Sequence, residues 1–229
     1  MSVESMFTAQ TLSFLQELEV HNERDWFEAN RHRYEAEVRA PARAFIRAMG
    51  PRLAEISPHI VADDRKSGGS LLRIHRDTRF ARDKRPYKTN VGIRFRHSAG
   101  KDTPAPWLYV HISPEESFVG VGLWHPDADT LRRIRTHIVA HPKAWVRARD
   151  EAGFQARFEL GGDSLSRAPR GFDADHALVE DLKRKDHIAS ARLSLGELLD
   201  PGLVEQVSAR FAAARPYLAF LNAALDLPF

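Results

Sequence analysis

The middle of the chain changes its hydrophobic period, and that change constrains the fold more than any other feature. Four runs alternate from residue to residue: Leu71 to Arg76, Val91 to Arg96, Trp107 to Ile112 and Ser117 to Leu123. Turn-forming clusters separate the later runs, at Ser98-Ala99-Gly100, Pro104-Ala105-Pro106 and Ser113-Pro114-Glu115-Glu116. Short alternating runs at this spacing predict an antiparallel meander with one face against helices.

Both flanks read as helix. Thr8 is placed to cap a helix carrying Leu12, Leu15 and Leu18, and Asn22 to cap a second with Trp26, Phe27, Ala29 and Tyr34. Pro41 opens or kinks a third, containing Phe45, Ile46 and Met49, which Gly50-Pro51 ends. A further turn follows at Leu53 to Ile56. After the sheet, Pro126 suits a first helical position, and helices are expected at Pro142 to Arg149, Asp173 to Lys183 and Asp200 to Asn222. His187 to Ala191 reads as a short strand. The expectation is one composite α+β domain spanning 1–229. It has a helical part at about 8–56, a sheet of about four or more strands at about 70–123 and a helix-rich part at about 126–224.

Composition fits such a domain. The 229 residues are 43% apolar and 28% charged, and a chain this long buries roughly 70% of its extended surface without disulfides or metal. There is no cysteine, which removes thiolate metal sites, cysteine nucleophiles and disulfide frameworks. No run of 18 apolar residues is present, and Met1 to Gln16 lacks a basic region and a small-residue cleavage site. The expectation is a cytoplasmic protein with no membrane partner.

Charge is concentrated rather than large. The net charge is +3, yet eleven cations lie between Arg65 and Arg96 against two acids, Asp77 and Asp83. Such a focus gathers anions, whether phosphate esters, nucleic acid or acidic protein surfaces. The same segment also fits a solvated cationic ribbon or salt bridges to acidic helices.

Parity divides the predicted sheet into two faces. One carries Leu72 and Ile74, then Val91, Ile93 and Phe95, Leu108, Val110 and Ile112, and Val119, Val121 and Leu123. That is a core face. The other carries Arg73 and His75, Gly92, Arg94 and Arg96, Trp107, Tyr109 and His111, and Phe118, Gly120 and Gly122. Glycines admit close approach, aromatics offer stacking surface, and arginines offer forked donors to phosphate or carboxylate. This face suits an anionic ligand with an aromatic part. An ordinary polar outer face, or one covered by the C-terminal helices, has the same composition.

The densest stretch runs from Leu72 to Asn90 and includes Arg76-Asp77-x-Arg79-Phe80-x-x-Asp83-Lys84-x-Pro86-Tyr87-Lys88-Thr89. Two further blocks stand out: Gly120-Val121-Gly122-Leu123-Trp124-x-Pro126, and Gly162-Asp163-Ser164-Leu165 through Pro169-Arg170-Gly171-Phe172-Asp173-x-Asp175-His176. At these residues the sequence resembles the domain of unknown function 2461 family of conserved hypothetical proteins, over nearly the whole chain and in order. The resemblance implies a soluble single-domain protein and carries over no activity. A tyrosine is common in such sequences where His75 stands, which puts a catalytic role for His75 in doubt.

From the residues themselves, Arg76, Arg79, Lys84 and Lys88 are expected to hold an anion, with Asp77 and Asp83 orienting them. Pro86 and Tyr87 stiffen the loop, and Arg73, Arg94 and Arg170 extend the set. Trp107, Tyr109 or Trp124 would stack on the ligand. If the ligand is transformed, His111 and Asp77 are the acid–base candidates. An ion-pair network that merely locks the loop uses the same residues. His137-x-x-x-His141 and Asp173-x-Asp175-His176 read better as helix-terminal residues than as metal ligands, so neither a metal nor a cofactor is expected. The expected partner is a phosphate-bearing or other anionic small molecule. Single-stranded nucleic acid or an acidic protein partner are the alternatives, and oligomeric state is left open.

Overall fold

The computed structural model describes residues 5–100 and 102–229. Its strands are β1 (Ile60–Val61), β2 (Val91–His97), β3 (Trp107–Ile112), β4 (Ser117–Leu123), β5 (Glu159–Gly161) and β6 (His187–Leu193). They form one antiparallel sheet in the order β1-β2-β3-β4-β6-β5. The meander lies where the alternation puts it: Ile93 opposes Val110, and Val110 opposes Val119. The short edge strands β1 and β5 carry no alternation long enough to read.

Before the sheet come α1 (Ala9–Val20), α2 (Arg24–Ala29), α3 (Arg31–Arg33), a π-helical stretch at Tyr34–Arg39 and α4 (Ala40–Ile56). After β4 follow α5 (Ala128–Ala140), α6 (Pro142–Arg149), α7 (Ala152–Gln155), α8 (Val179–Lys183), α9 (Leu195–Leu198), α10 (Leu203–Ala213) and α11 (Arg215–Ala224). Helix α4 packs on β2, while α10 and α11 pack on β4, all on the core face. There Phe95 meets Phe211 edge-on at 6.3 Å. Val91, Ile93, Phe95, Leu108, Val110, Ile112, Val119, Val121 and Leu123 are all buried in one continuous core. Among the described residues no helix is long and apolar enough to cross a membrane.

Several local expectations give way to tertiary contacts. Helix α4 runs straight through Gly50-Pro51, because its buried stripe of Phe45, Ile46, Met49, Leu53 and Ile56 outweighs the lost hydrogen bond. The run from Leu71 to Arg76 is no continuous strand but forks between two partners. Leu72 N donates to Gly92 O at 2.9 Å, whereas Arg76 N donates to Pro86 O at 2.8 Å. Leu72 therefore leaves the core face and joins the opposite one. Pro126 is not the first residue of α5 but precedes its cap, Asp127, whose side chain accepts from Thr130 N. Residues 173–178 are irregular and only α8 is helical. The terminal helix is broken at Ala214, since Pro216 in the first turn of α11 has no N–H to continue α10.

One inward position carries an unusual burden. His187 on β6 is fully buried, its ring edge-on to Trp145 at 5.8 Å, and neither ring nitrogen has a hydrogen-bond partner. Burial, reinforced by Arg184 and Arg135, pushes its imidazole down to about 3. The folded state thus keeps it neutral, while the unfolded chain protonates it below about 6.5. Stability from this residue is complete above that value and is lost as pH falls towards 3, at a limiting slope of about 1.4 kcal/mol per pH unit. Urea unfolding of His187→Leu at pH 7 and pH 5 should show a smaller loss than the parent protein. An identical loss in both would refute this assignment.

Candidate functional site

The basic loop divides into a fixed base and an ion-paired tip. At the base, Asn22 is released from capping α2, whose cap is Glu23, and is buried against the loop instead. Its side chain accepts from Tyr87 N at 3.0 Å and donates to Tyr87 O at 3.1 Å, as a neighbouring strand would. The Tyr87 ring stacks on Phe27 at 4.1 Å. Lys88 N donates to Ile74 O at 2.8 Å, which closes the base as a two-stranded ladder.

At the tip the cations are largely spent on local carboxylates. Arg79 grips Asp77 with two bonds of 3.0 and 2.7 Å, Arg76 binds Asp83 at 2.5 Å, and Arg85 binds the same carboxylate at 2.9 Å. Lys84 Nζ donates to Thr78 O at 2.9 Å. Bonding to Arg76 holds the Asp83 carboxyl far below the usual carboxylate range, and Arg79 lowers that of Asp77. Phe80 stands 96% exposed at this tip, beneath the Arg79 guanidinium.

The second sheet face is where the remaining candidates meet. Cross-strand pairing sets Arg94 opposite Tyr109, Tyr109 opposite Gly120, and Gly120 opposite Ser190. The next rows set His111 opposite Phe118, and Trp107 opposite Gly122. All of these except Gly122, with Leu72, Trp124 and Ile188, line a cavity of about 390 Å³. That is the size of a small-molecule site. The C-terminal helices lie on the opposite face of the sheet, so they do not cover it.

Two glycines shape this cavity. A Cβ at Gly92 would stand 2.8 Å from the Tyr109 hydroxyl, so glycine lets that ring lie flat over β2. A Cβ at Gly120 would meet the Tyr109 Cβ at an ordinary 3.7 Å, leaving the space above it to the cavity. Gly122 answers to a different need. Its φ is +113° and a Cβ there would run into the His187 carbonyl, so only glycine allows β4 to turn out. The turn is pinned by buried Asp186, which accepts from His125 N at 2.7 Å and Asp163 N at 3.0 Å. Trp124 is thereby left 60% exposed on the cavity rim.

Unpaired cations edge the cavity. Arg94 and Arg96 each bury their Nε without a hydrogen-bond partner among the described residues. Lys88 is half-buried, and burial, with Arg73 and Arg94 nearby, lowers its ammonium from the ordinary lysine value. No described carboxylate pairs with Arg73, Lys88, Arg94 or Arg96. His111 stacks on Phe118 at 4.8 Å, and burial keeps its imidazole neutral below the usual value. The Tyr109 hydroxyl lies 3.3 Å from its Nδ1, and the Asn90 side-chain nitrogen lies 3.5 Å from the same atom. A neutral imidazole on a cavity wall can exchange a proton with a bound ligand.

The structure thus gathers Arg94, Trp107, Tyr109, His111 and Trp124 around one cavity, with Arg73 and Lys88 beside it. It leaves Arg76, Asp77, Arg79, Asp83 and Lys84 on the outer loop, and makes Tyr87 an anchor. Arg170 is exposed and lines none of these clefts. Ile188 and Ser190 join the site without having been singled out, and Arg96, already on this face by parity, lines a neighbouring hollow rather than the cavity itself. Arg96 was legible as the residue two beyond Arg94 on one strand face. Among the described residues no group of three metal-ligating side chains occurs.

Fold and site define an α+β protein with one antiparallel sheet, whose free face carries an aromatic cavity edged by arginines. The chain belongs to the family described as Conserved hypothetical protein (DUF2461), matched over residues 10–220. Searches of curated proteins and of solved structures find no match.

Asn22 provides a test of the loop base. Asn22→Ala strips two buried backbone groups of their partner, each costing roughly 1–3 kcal/mol. Urea midpoints should fall accordingly, and amide exchange at Tyr87 and Lys88 should accelerate. An unchanged midpoint would show that the clamp holds nothing.

Proposed function

We propose that the free sheet face binds a small ligand with a flat apolar body and an anionic group. The body lies among Trp107, Tyr109, Phe118 and Trp124, and the anion meets Arg94, with Lys88 and Arg73 in support. One observation carries this reading: a buried guanidinium nitrogen of Arg94 without a partner, on the wall of an aromatic cavity of about 390 Å³. A buried donor left unpaired costs roughly 1–3 kcal/mol, and a ligand anion removes that cost. The outer loop contributes less than its charge suggests, because Arg76, Arg79 and Arg85 are bonded to Asp77 and Asp83.

Fluorescence titration with 1-anilinonaphthalene-8-sulfonate, a flat body with one sulfonate, tests the class. Arg94→Met and Gly120→Leu should each weaken binding about tenfold or more, a loss of at least about 1.4 kcal/mol. Arg132→Met, on an exposed helix surface, should leave it unchanged. Near-ultraviolet circular dichroism establishes that each variant is folded. Equal affinity in all four proteins would end the proposal.

A further inference from the structure

Arg96 does not line the aromatic cavity but shares a small hollow with Arg94 and Trp107 beside it. It also lines a second cleft, of about 350 Å³, between the N-terminal helices and the loop at 66–69. Lys66 and Arg73 share its walls, and neither has a carboxylate partner among the described residues. The cleft is built rather than incidental. Arg39, in the π-helical stretch, donates to Lys66 O at 3.0 Å and binds Glu35 at 2.7 Å, tying loop to helix. Ser70 N donates to Asp63 O at 2.6 Å, and a Cβ at Gly69 would stand 2.5 Å from that oxygen, so the loop closes only on glycine. π-helical insertions in α-helices occur often at functional sites.

The two hollows are joined by the arginine row. Arg94 lines the aromatic cavity, Arg96 lines the second cleft, and both line the small hollow between them beside Trp107. Two residues apart on one strand face, their side chains stand about 7 Å apart. We propose that the ligand is a nucleotide carrying more than one phosphate, with its ring in the aromatic cavity and its phosphates running past Arg94 and Arg96 towards Lys66 and Arg73. This rests on the reading of the aromatic cavity given above. The linked hollows end on Trp124 at one side and on Tyr34 and Arg39 at the other, which fits a small molecule better than a strand that passes through.

Isothermal titration of the full chain with adenosine and guanosine mono- and triphosphates tests it. In at least one series the triphosphate should bind about tenfold tighter than the monophosphate, as added charge-assisted bonds require. Lys66→Met should narrow that gap while leaving monophosphate affinity unchanged, and Arg96→Met should narrow it as well. Lys66 is exposed, so its variant keeps the test valid should Arg96→Met fail to fold. Equal mono- and triphosphate affinities would overturn the second subsite and leave the cavity reading intact. So would sulfonate-probe binding without any nucleotide binding. A gap that persists in both variants also overturns it. Affinity for oligothymidylate that exceeds that for triphosphate and climbs with length would replace it with a nucleic-acid strand. Failure of the probe and all nucleotides alike would take the cavity reading down with it.

Discussion

Helices α4, α10 and α11 bury one face of an antiparallel sheet, and every inward residue from Val91 to Leu123 belongs to that face. Antiparallel strands tolerate water on their second face, since backbone pairing satisfies both sides equally. What remains exposed is then decided residue by residue. Here β2 and β4 place glycines at Gly92 and Gly120, and β3 places rings beside them. Tyr109 covers Gly92, while Gly120 stays open, so the surface is concave where a regular strand face would be filled. The cavity is a consequence of two missing side chains on a face that the core does not need.

Charge is partitioned along the same boundary. The outer loop pairs Arg76, Arg79 and Arg85 with two solvent-accessible carboxylates, and such pairs contribute little to stability. Their effect is to order a loop tip that has little core of its own. The inner set of Arg73, Lys88, Arg94 and Arg96 is different, because no described carboxylate pairs with it and all but Arg73 are partly buried. Like charges gathered without counter-ions work against the fold, so an arrangement of this kind makes physical sense where an anion completes it. The sequence concentrates both sets in one basic segment, and only the fold separates them.

Much of this was legible from parity. The two faces follow from period-two alternation in the runs beginning at Val91, Trp107 and Ser117, and three of the cavity's aromatic walls follow from them. Leu72 was misplaced because its run changes partner partway, from β2 to the 86–88 segment, which alternation cannot reveal. The loop cations were identified, but which of them are free depends on where Asp77 and Asp83 reach. Asn22 was read only as a helix cap and Asp186 not at all, for a common reason. Each holds backbone groups more than 20 residues away, Tyr87 in one case and His125 and Asp163 in the other, so neither leaves a local trace. Asp186 shows why two blocks far apart in sequence, around Gly122 and Gly162, act on one turn.

Two groups among the unpartnered buried polar atoms differ in kind, and the contrast bears on what the second face is for. Trp145 Nε1, both nitrogens of His187 and Tyr217 Oη lie together in the helical core under the sheet. They are neutral groups packed ring against ring, with Trp145 and Tyr217 at 5.7 Å, so the unpaired atoms are offset by large aromatic burial. Arg94 Nε and Arg96 Nε have no such compensation. They belong to charged groups, whose unpaired burial costs more than that of a neutral one, and they stand on walls of open hollows rather than in packed core. A core tolerates the first kind for its packing. The second kind contributes nothing to packing that methionine would not, and an anion entering these hollows would remove its cost.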